Sequence, residues 1–194
     1  MDLKEVIKTR RSIKKFSKKK GDWRKIVQAI DSARYAPMAG NNFSLKFVLV
    51  SDEKKIQKIR SSCQQDFVDT PHVLVVLSDH EKVKRLYDTR GAGFASQQAG
   101  AAIQNILLTL TDRGLDACWV GYYLEDQIKN VIDTPDLWTV EAIIPIGFRS
   151  KAHSFKTPEK VELDNVLYFE KWKNKTMNPP LQTTDIAKGD KLDK

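Results

Sequence analysis

Cysteine and histidine are scarce in this sequence. The 194 residues include two cysteines, Cys63 and Cys118, and three histidines. Neither cysteine belongs to a CxxC pair, so a disulfide framework is excluded, and the scattered histidines lack the ligand spacing of a zinc site. We therefore predict no metal site and expect a reducing, cytoplasmic environment.

Long apolar runs are also missing. No run approaches the roughly 20 residues that a membrane-spanning helix needs, and the first residues, MDLKEVIKTRR, lack the apolar core of a secretory signal. No GxGxxG motif follows a predicted strand, which disfavours a Rossmann dinucleotide-binding fold. We expect a soluble protein with no membrane partner.

Positive charge is abundant, with a formal net charge of +8 and a pI near 9.4. This balance makes phosphates or polyanions plausible partners, and much of the excess lies in residues 1–25. A nucleic-acid binder would interleave its basic residues with exposed aromatic side chains or carry a known binding motif. The sequence shows neither pattern, so we expect no nucleic-acid partner.

The segment RRSIKKF combines three kinds of anion donor within five residues. It supplies two guanidinium groups, a hydroxyl and an ammonium: Arg10, Arg11, Ser12 and Lys14. A phosphate monoester suits this set because arginine binds its oxygens bidentately and a serine hydroxyl adds a directed bond. Ile13 and Phe16 would anchor the segment to the core. A solvated basic surface is the alternative interpretation.

Hydrophobic periodicity predicts alternating helices and strands. Helices are expected near residues 2–9, 22–35, 53–64, 81–87, 91–114 and 126–132. Strands are expected over residues 45–51, 71–79, 117–122 and 139–148, with Pro145 suggesting a bulge or an edge. The continuous apolar runs of the first two strands predict burial on both faces. Residues 161–169 are predicted to form a further strand or a docked arm.

The helix predicted over Gly91–Gly114 is apolar in its second half and built from small residues in its first half. Glycine costs about 1 kcal/mol against alanine inside a helix, so three glycines in the opening turns need a reason. A central core helix with a loose beginning is the simplest interpretation. A face that meets a second subunit or a cofactor is the alternative.

Five motifs in this order resemble the nitroreductase family of FMN-dependent flavoproteins: RRSIKKF, APMAGNNFSLKFVLV, DTPHVLVVL, AIQNILLTLTDRGLDACWVGYY and IIPIGF. The resemblance covers residues from about Val6 to Arg149. It implies an α+β fold with a mostly antiparallel sheet of four to five strands flanked by helices, in an intertwined homodimer. Residues 1–170 would form the single FMN-binding domain. Residues 171–194 would form a polar tail, mobile or wrapped around the partner subunit.

The resemblance also implies an FMN site at the subunit interface. Arg10, Arg11 and Ser12 match phosphate and ribityl contacts, and Lys14 matches the basic position beside the flavin N1/O2 edge. The loop expected from the opposite subunit matches Pro37, Met38, Ala39 and Asn41. Val120 and Gly121 match the turn that faces the isoalloxazine around N5, and Arg149 is similar in placement to a C-terminal phosphate-binding residue.

The implied activity is a ping-pong oxidoreductase. NADH or NADPH would pass hydride to flavin N5, and an electron-poor acceptor such as a nitroaromatic or quinone would then be reduced. The flavin carries the chemistry, so no catalytic acid, base or nucleophile is assigned, and a fixed cation near N1 would stabilise the reduced ring. The alternative is a non-catalytic FMN-binding sensor or carrier on the same scaffold.

Overall fold

A four-stranded sheet forms the centre of the first part of the chain. In the computed structural model, which describes residues 1–67, 69–151 and 161–177, the strands are β1 (Leu45–Val50), β2 (His72–Ser78), β3 (Asp116–Ala117) and β4 (Thr139–Gly147). They pair in the order β1-β2-β4-β3, and each strand is antiparallel to its neighbours. The predicted α+β fold with a mostly antiparallel sheet is confirmed.

Helices cover both faces of this sheet. Their bounds are α1 (Leu3–Thr9), α2 (Trp23–Asp31), α3 (Glu53–Ser61), α4 (His80–Tyr87), α5 (Gly91–Asp112) and α6 (Glu125–Ile132). Helices α2 and α5 contribute to one apolar cluster, and α3 and α6 contribute to the other. Each helix agrees with a predicted one to within a few residues.

Strand β2 shows why its sequence is apolar without alternation. Leu74 and Val76 pack into the cluster on the α5 side, whereas Val73, Val75 and Leu77 pack into the cluster on the α3 side. Both faces of the strand are therefore removed from water, and burying one such side chain contributes roughly 1.5–3 kcal/mol. The predicted burial on two faces is confirmed for β2. It was wrong for β1, an edge strand in which Lys46 is exposed and Phe47, Val48 and Leu49 are only half-buried.

Aspartate caps begin four of the helices. Asp2, Asp22, Asp52 and Asp79 each accept a hydrogen bond from a backbone N–H in the first turn of α1, α2, α3 and α4 respectively. Such a cap satisfies one of the donors that an α-helix leaves free at its beginning. The predicted N-cap at Asp22 is confirmed.

The third strand is shorter than predicted, and Pro145 gives the reason. Cys118 N–H donates to the Pro145 carbonyl at 3.3 Å, but proline has no N–H with which to complete the pair. The ladder resumes at Val120, which exchanges two hydrogen bonds of 2.9 and 3.0 Å with Ile143. The prediction of a bulge or edge at Pro145 was wrong, because β4 is an interior strand. Its bulge lies at Glu141, where the register shifts.

The chain divides into two compact units, Met1–His153 and Ser154–Lys194. In the second unit, residues Leu163–Val166 form a short helix, α7. The predicted strand over residues 161–169 was wrong, because Leu167 N–H closes a helical turn on the Leu163 carbonyl at 3.0 Å. The alternative of a docked arm stays a prediction. The predicted tail falls largely on residues 178–194, outside the described residues.

Among the helices that the structure describes, none is both long enough and apolar enough to cross a lipid bilayer.

Candidate functional site

The basic segment is an extended strip. It pairs with β3 near its start, at Ser12, and with Arg149, just after β4, near its end. Ile13 N–H donates to the Ala117 carbonyl at 3.0 Å, and Ser150 N–H donates to the Lys15 carbonyl at 3.0 Å. Ile13 and Phe16 are buried, as predicted. These two anchors and the backbone bonds fix the strip, so its polar side chains are presented from a rigid base.

Three of the predicted anion-binding residues surround one thiol. Burial raises the pKa of the Cys118 thiol, while the positive charges of Lys14 and Arg10 and a hydrogen bond with Ser12 act in the opposite direction. Cys118 immediately follows β3 and is 2% exposed. Arg10, Ser12 and Lys14 therefore lie together above a buried sulfur, with the Ser12 and Lys14 side chains reaching solvent.

Arg11 has a different role within the protomer. Its Nη1 donates to the Lys8 carbonyl at 2.6 Å and to the Arg10 carbonyl at 2.8 Å, so it caps the end of α1. Its Nε is buried and has no partner among the described residues. The structure therefore separates Arg11 from the group of Arg10, Ser12 and Lys14.

The predicted turn at Val120–Gly121 adjoins the small-residue face of α5. Val120 is buried by its pairing with Ile143, and Gly121 is exposed. Trp119, 39% exposed, lies over Gly100, where a Cβ would come within 3.7 Å of the indole Cη2. Cys118 directly precedes Trp119 in the chain, but its side chain packs into the cluster on the α3 side, whereas the Trp119 ring lies against α5.

The loop containing Pro37, Met38, Ala39 and Asn41 lies elsewhere in the protomer. A short 3-10 turn, Ala39–Asn41, has positive φ at both Gly40 (59°) and Asn41 (52°). Asparagine tolerates this conformation better than most residues. The loop packs on α4, where Gly40 lies beside the Tyr87 ring. No hydrogen bond in the described ranges joins it to the basic strip.

Arg149 follows β4 and is bound to an acidic neighbour. Its Nη2 donates to Oδ1 of Asp116 at 2.6 Å, its Nε lies 3.1 Å from both carboxylate oxygens, and its backbone N–H donates to Oδ2 at 2.9 Å. The hydrogen bond that the guanidinium donates to Asp116 raises the pKa of Arg149. The guanidinium lies next to the strip, through the pairing of Phe16 with Arg149, but its charge is balanced.

A polar cluster at the other end of β4 was not predicted. One carboxylate oxygen of Glu141 is contacted by the side chains of Ser78, His80 and Ser96. One signal was available in the sequence: Glu141 is the single charged residue of the strand TVEAIIPIG. Its partners could not be found, because they come from β2, α4 and α5.

A cavity of about 250 Å³ lies on the other face of the sheet, beside α3. Its lining includes Lys18, Lys20, Glu53, Arg60 and Phe67 and contains none of the predicted site residues. Arg60 is engaged with Asp66 through bonds of 2.7 and 3.1 Å. The cavity is therefore separate from the candidate site.

The sequence profile of the Nitroreductase family matches residues 7–68 and 58–148. A Methanothermobacter thermautotrophicus protein, provisionally named NADH dehydrogenase/NAD(P)H nitroreductase, is 30% identical over 180 residues, 89% of this chain and 88% of the relative.

Solved structures share the fold. A nitroreductase family protein from Clostridium novyi NT has a TM-score of 0.71 and 29% identity, covering 90% of this chain and 96% of that one. An FMN-dependent nitroreductase from Clostridium difficile R20291 has a TM-score of 0.73 and 22% identity, covering 88% and 100%. The profile match, the relative that is 30% identical over 89% of this chain and the shared fold show that this chain belongs to the nitroreductase family.

Proposed function

We propose that this protein is an FMN-dependent oxidoreductase that passes electrons from NADH or NADPH to an electron-poor acceptor, a nitroaromatic or a quinone. The observation that supports this most directly is the convergence of Arg10, Ser12 and Lys14 around Cys118, beside the Trp119–Gly121 turn. A flavin mononucleotide needs both a phosphate site and a flat surface. The strip would supply the first feature, and the Val120–Gly121 turn, which begins two residues beyond Cys118, would supply the second.

The residues present fit FMN in kind. Arg10 and Ser12 would hold the phosphate and ribityl groups through charge-assisted and neutral hydrogen bonds. Lys14 would lie beside the N1/O2 edge, where a fixed positive charge stabilises the negative charge that builds up on reduction. When bound, FMN would supply hydride acceptance and donation at N5. The protein's part is to position the ring beside Val120 and Gly121 and to supply the cation.

We also propose that the working form is a homodimer with FMN at its interface. Several large apolar side chains are exposed on the protomer, among them Leu3 and Ile7 on α1 and Trp23 and Val27 on α2. The small-residue face of α5 is also accessible, with Gly93 and Ser96 exposed. Exposed apolar surface of this kind favours a protein partner. The Pro37–Asn41 loop would then complete the flavin site of the opposite subunit.

The experiment that tests this proposal is identification of the flavin. The purified protein should be yellow and should release FMN on denaturation, and anaerobic mixing with NADH or NADPH should bleach the flavin before a quinone restores its colour. A protein that cannot take up FMN would contradict the proposal. Flavin bound but reduced no faster than free FMN would instead support a non-catalytic sensor or carrier. Sedimentation would test the dimer.

A further inference from the structure

Four polar side chains meet at one oxygen where β2, β4, α4 and α5 come together. Ser78 Oγ donates to Oε1 of Glu141 at 2.5 Å, His80 Nε2 lies 2.7 Å from the same oxygen, and Ser96 Oγ donates to it at 3.1 Å. The His80 and Glu141 side chains are 21% and 12% exposed. The cluster is thus largely buried but within reach of solvent.

The geometry determines which nitrogen of His80 carries hydrogen. Oε1 of Glu141 is an acceptor, since two serine hydroxyls already donate to it, so the Nε2 facing it must be a donor. Ser96 Oγ is 3.5 Å from the same nitrogen. A hydrolytic triad would use the two ring nitrogens for its two partners, and here both contacts fall on Nε2. Among the described residues, both side-chain contacts of His80 are made by Nε2, so Nδ1 is the nitrogen open to another molecule.

The bulge in β4 produces this arrangement. Val76 pairs with Ala142 and Leu77 pairs with Val140, so Glu141 is the extra residue. A bulge re-aims the side chain it carries and is frequent next to active sites. Glu141 consequently shares the α5 side of the sheet with Ala142 instead of pointing to the opposite face.

Two short stretches of backbone connect the cluster to the elements that hold the proposed flavin turn. Ser96 is one helical turn before Gly100, about 6 Å along α5, and Gly100 lies under the Trp119 ring. Glu141 is two residues before Ile143, about 7 Å along β4, and Ile143 pairs with Val120. Both stretches end at residues that contact the Trp119–Gly121 turn, beside which the acceptor would be reduced.

We propose that His80, oriented by Glu141, is the proton donor to the acceptor; this rests on the proposed oxidoreductase function. A quinone becomes a hydroquinone by gaining one hydride, from the cofactor, and one proton. His80 supplies the proton: its Nδ1–H bond breaks, an O–H bond forms on the quinone oxygen, and the imidazolium becomes the Nε2–H imidazole. Water returns the proton. Glu141 is a positioning residue, because it acts through His80.

The charged surroundings of His80 come from few elements. Strand β4 contributes Glu141; α5 and β2 contribute only the hydroxyls of Ser96 and Ser78. Helix α4 itself contributes Glu81, whose carboxylate is bound to Lys84 at 2.6 Å and whose pKa is lowered chiefly by that bond. Glu141 is therefore the carboxylate hydrogen-bonded to the imidazole, and Glu81 is a neighbour engaged with another partner.

The test compares two acceptors in the His80→Gln variant. Glutamine places an NH₂ near the position of Nε2 and preserves the bond to Glu141, but it cannot act as an acid. Ferricyanide takes electrons without protons, whereas a quinone needs both. We expect the variant to lose about 100-fold or more in quinone reduction, in line with general acid catalysis, and less than about threefold in ferricyanide reduction. Its quinone rate should also lose a pH dependence that wild type shows.

Glu81→Gln is the matched control, since it removes a carboxylate from the next residue of the same helix. It should leave both rates within about twofold of wild type. A second readout needs no cofactor: nitrogen NMR of the flavin-free protein should show that the neutral ring of His80 is the Nε2–H tautomer. Glu141→Gln should shift that tautomer balance and should lower quinone reduction more than ferricyanide reduction.

Equal losses with both acceptors, or unchanged quinone reduction, in His80→Gln would overturn the assignment while leaving the oxidoreductase proposal standing. An Nδ1–H tautomer in the flavin-free protein would overturn it as well. A wild-type protein that binds FMN but reduces neither acceptor would remove the proposed function, and the role of His80 with it.

Discussion

Arg149 and Asp116 form an ion pair at the junction of β3 and β4, with 2.6 Å between Nη2 of Arg149 and Oδ1 of Asp116. The carboxylate also accepts the backbone N–H of Arg149 at 2.9 Å. A guanidinium whose charge is already balanced attracts a phosphate less than one that faces solvent without a carboxylate. We therefore expect Arg149 to contribute little to the binding of the FMN phosphate.

We expect the double variant Asp116→Asn, Arg149→Gln to keep FMN affinity within about threefold of wild type, because the two removed charges compensate each other. The measurement is quenching of flavin fluorescence on titration with flavin-free protein. A loss of affinity of tenfold or more would show that Arg149 contacts the phosphate directly.

The double variant Arg10→Ala, Ser12→Ala should weaken FMN binding by at least about tenfold, since each hydrogen bond to a charged group contributes roughly 1.5–3 kcal/mol. Lys18→Ala is the matched control, because it removes one charge from the same basic region but lies outside the strip around Cys118. It should change the dissociation constant less than about threefold. Undiminished affinity in the double variant would place the phosphate elsewhere.

Thiol labelling can locate the flavin without any assay of activity. In a Cys63→Ser variant, Cys118 should react slowly with a thiol reagent because burial raises its pKa. FMN should slow the reaction at least about fivefold further by covering Arg10, Ser12 and Lys14.

The control for that experiment is Cys118→Ser, which keeps Cys63. Burial raises the pKa of Cys63 to about 11, so this thiol is also slow. Because Cys63 lies beside Tyr123, away from the strip, FMN should leave its rate unchanged. Equal protection of both thiols would indicate general tightening of the protein rather than a flavin at Cys118.

Replacing two glycines of α5 by alanine should change the free energy of unfolding in opposite directions. A Cβ at Gly91 would lie 2.4 Å from the Lys84 backbone, so Gly91→Ala should cost about 2–3 kcal/mol in the free energy of unfolding. Gly93 has nothing within 4 Å of a built Cβ, so Gly93→Ala should be neutral or stabilising by up to about 1 kcal/mol.

Urea unfolding at matched protein concentration measures both variants. If Gly93→Ala instead splits a dimer or expels FMN, the small face of α5 is in contact with a partner. An unchanged midpoint for Gly91→Ala would show that α4 can move away from α5 at little cost.

His72 should make the protein sensitive to acid. Burial lowers the pKa of His72, so the folded state prefers the neutral ring while the unfolded chain takes up a proton below about pH 6.5. The stability contributed by this difference is present above about pH 6.5 and is lost as pH falls through the lowered value. For this one proton, the free energy of unfolding should fall by at most about 1.4 kcal/mol per pH unit.

Urea unfolding at pH 7 and pH 5 checks this prediction. His72→Gln should be less stable than wild type at pH 7 but should lose less on acidification. The same pH slope in the variant and in wild type would mean that other groups cause the acid sensitivity.

Local sequence signals predicted most of the elements because their causes are local. The Asp22 cap lies within a few residues of the backbone N–H group that it satisfies, and the apolar run of β2 needs only a sheet that is covered on both faces. The third strand was predicted too long, since its interruption depends on Pro145, a residue of a different strand. The loop at Pro37–Asn41 was predicted as a site element, but its role in a partner subunit stays a proposal.

The amino-acid sequence by itself determined the layers, the helix caps and the presence of a basic strip anchored by Ile13 and Phe16. Tertiary structure alone decided that Arg11 caps α1, that Asp116 balances Arg149 and that a bulge directs Glu141 to His80. The physical reason is range. Periodicity and capping act between residues a few positions apart, whereas a charge finds its partner only after strands distant in sequence have paired.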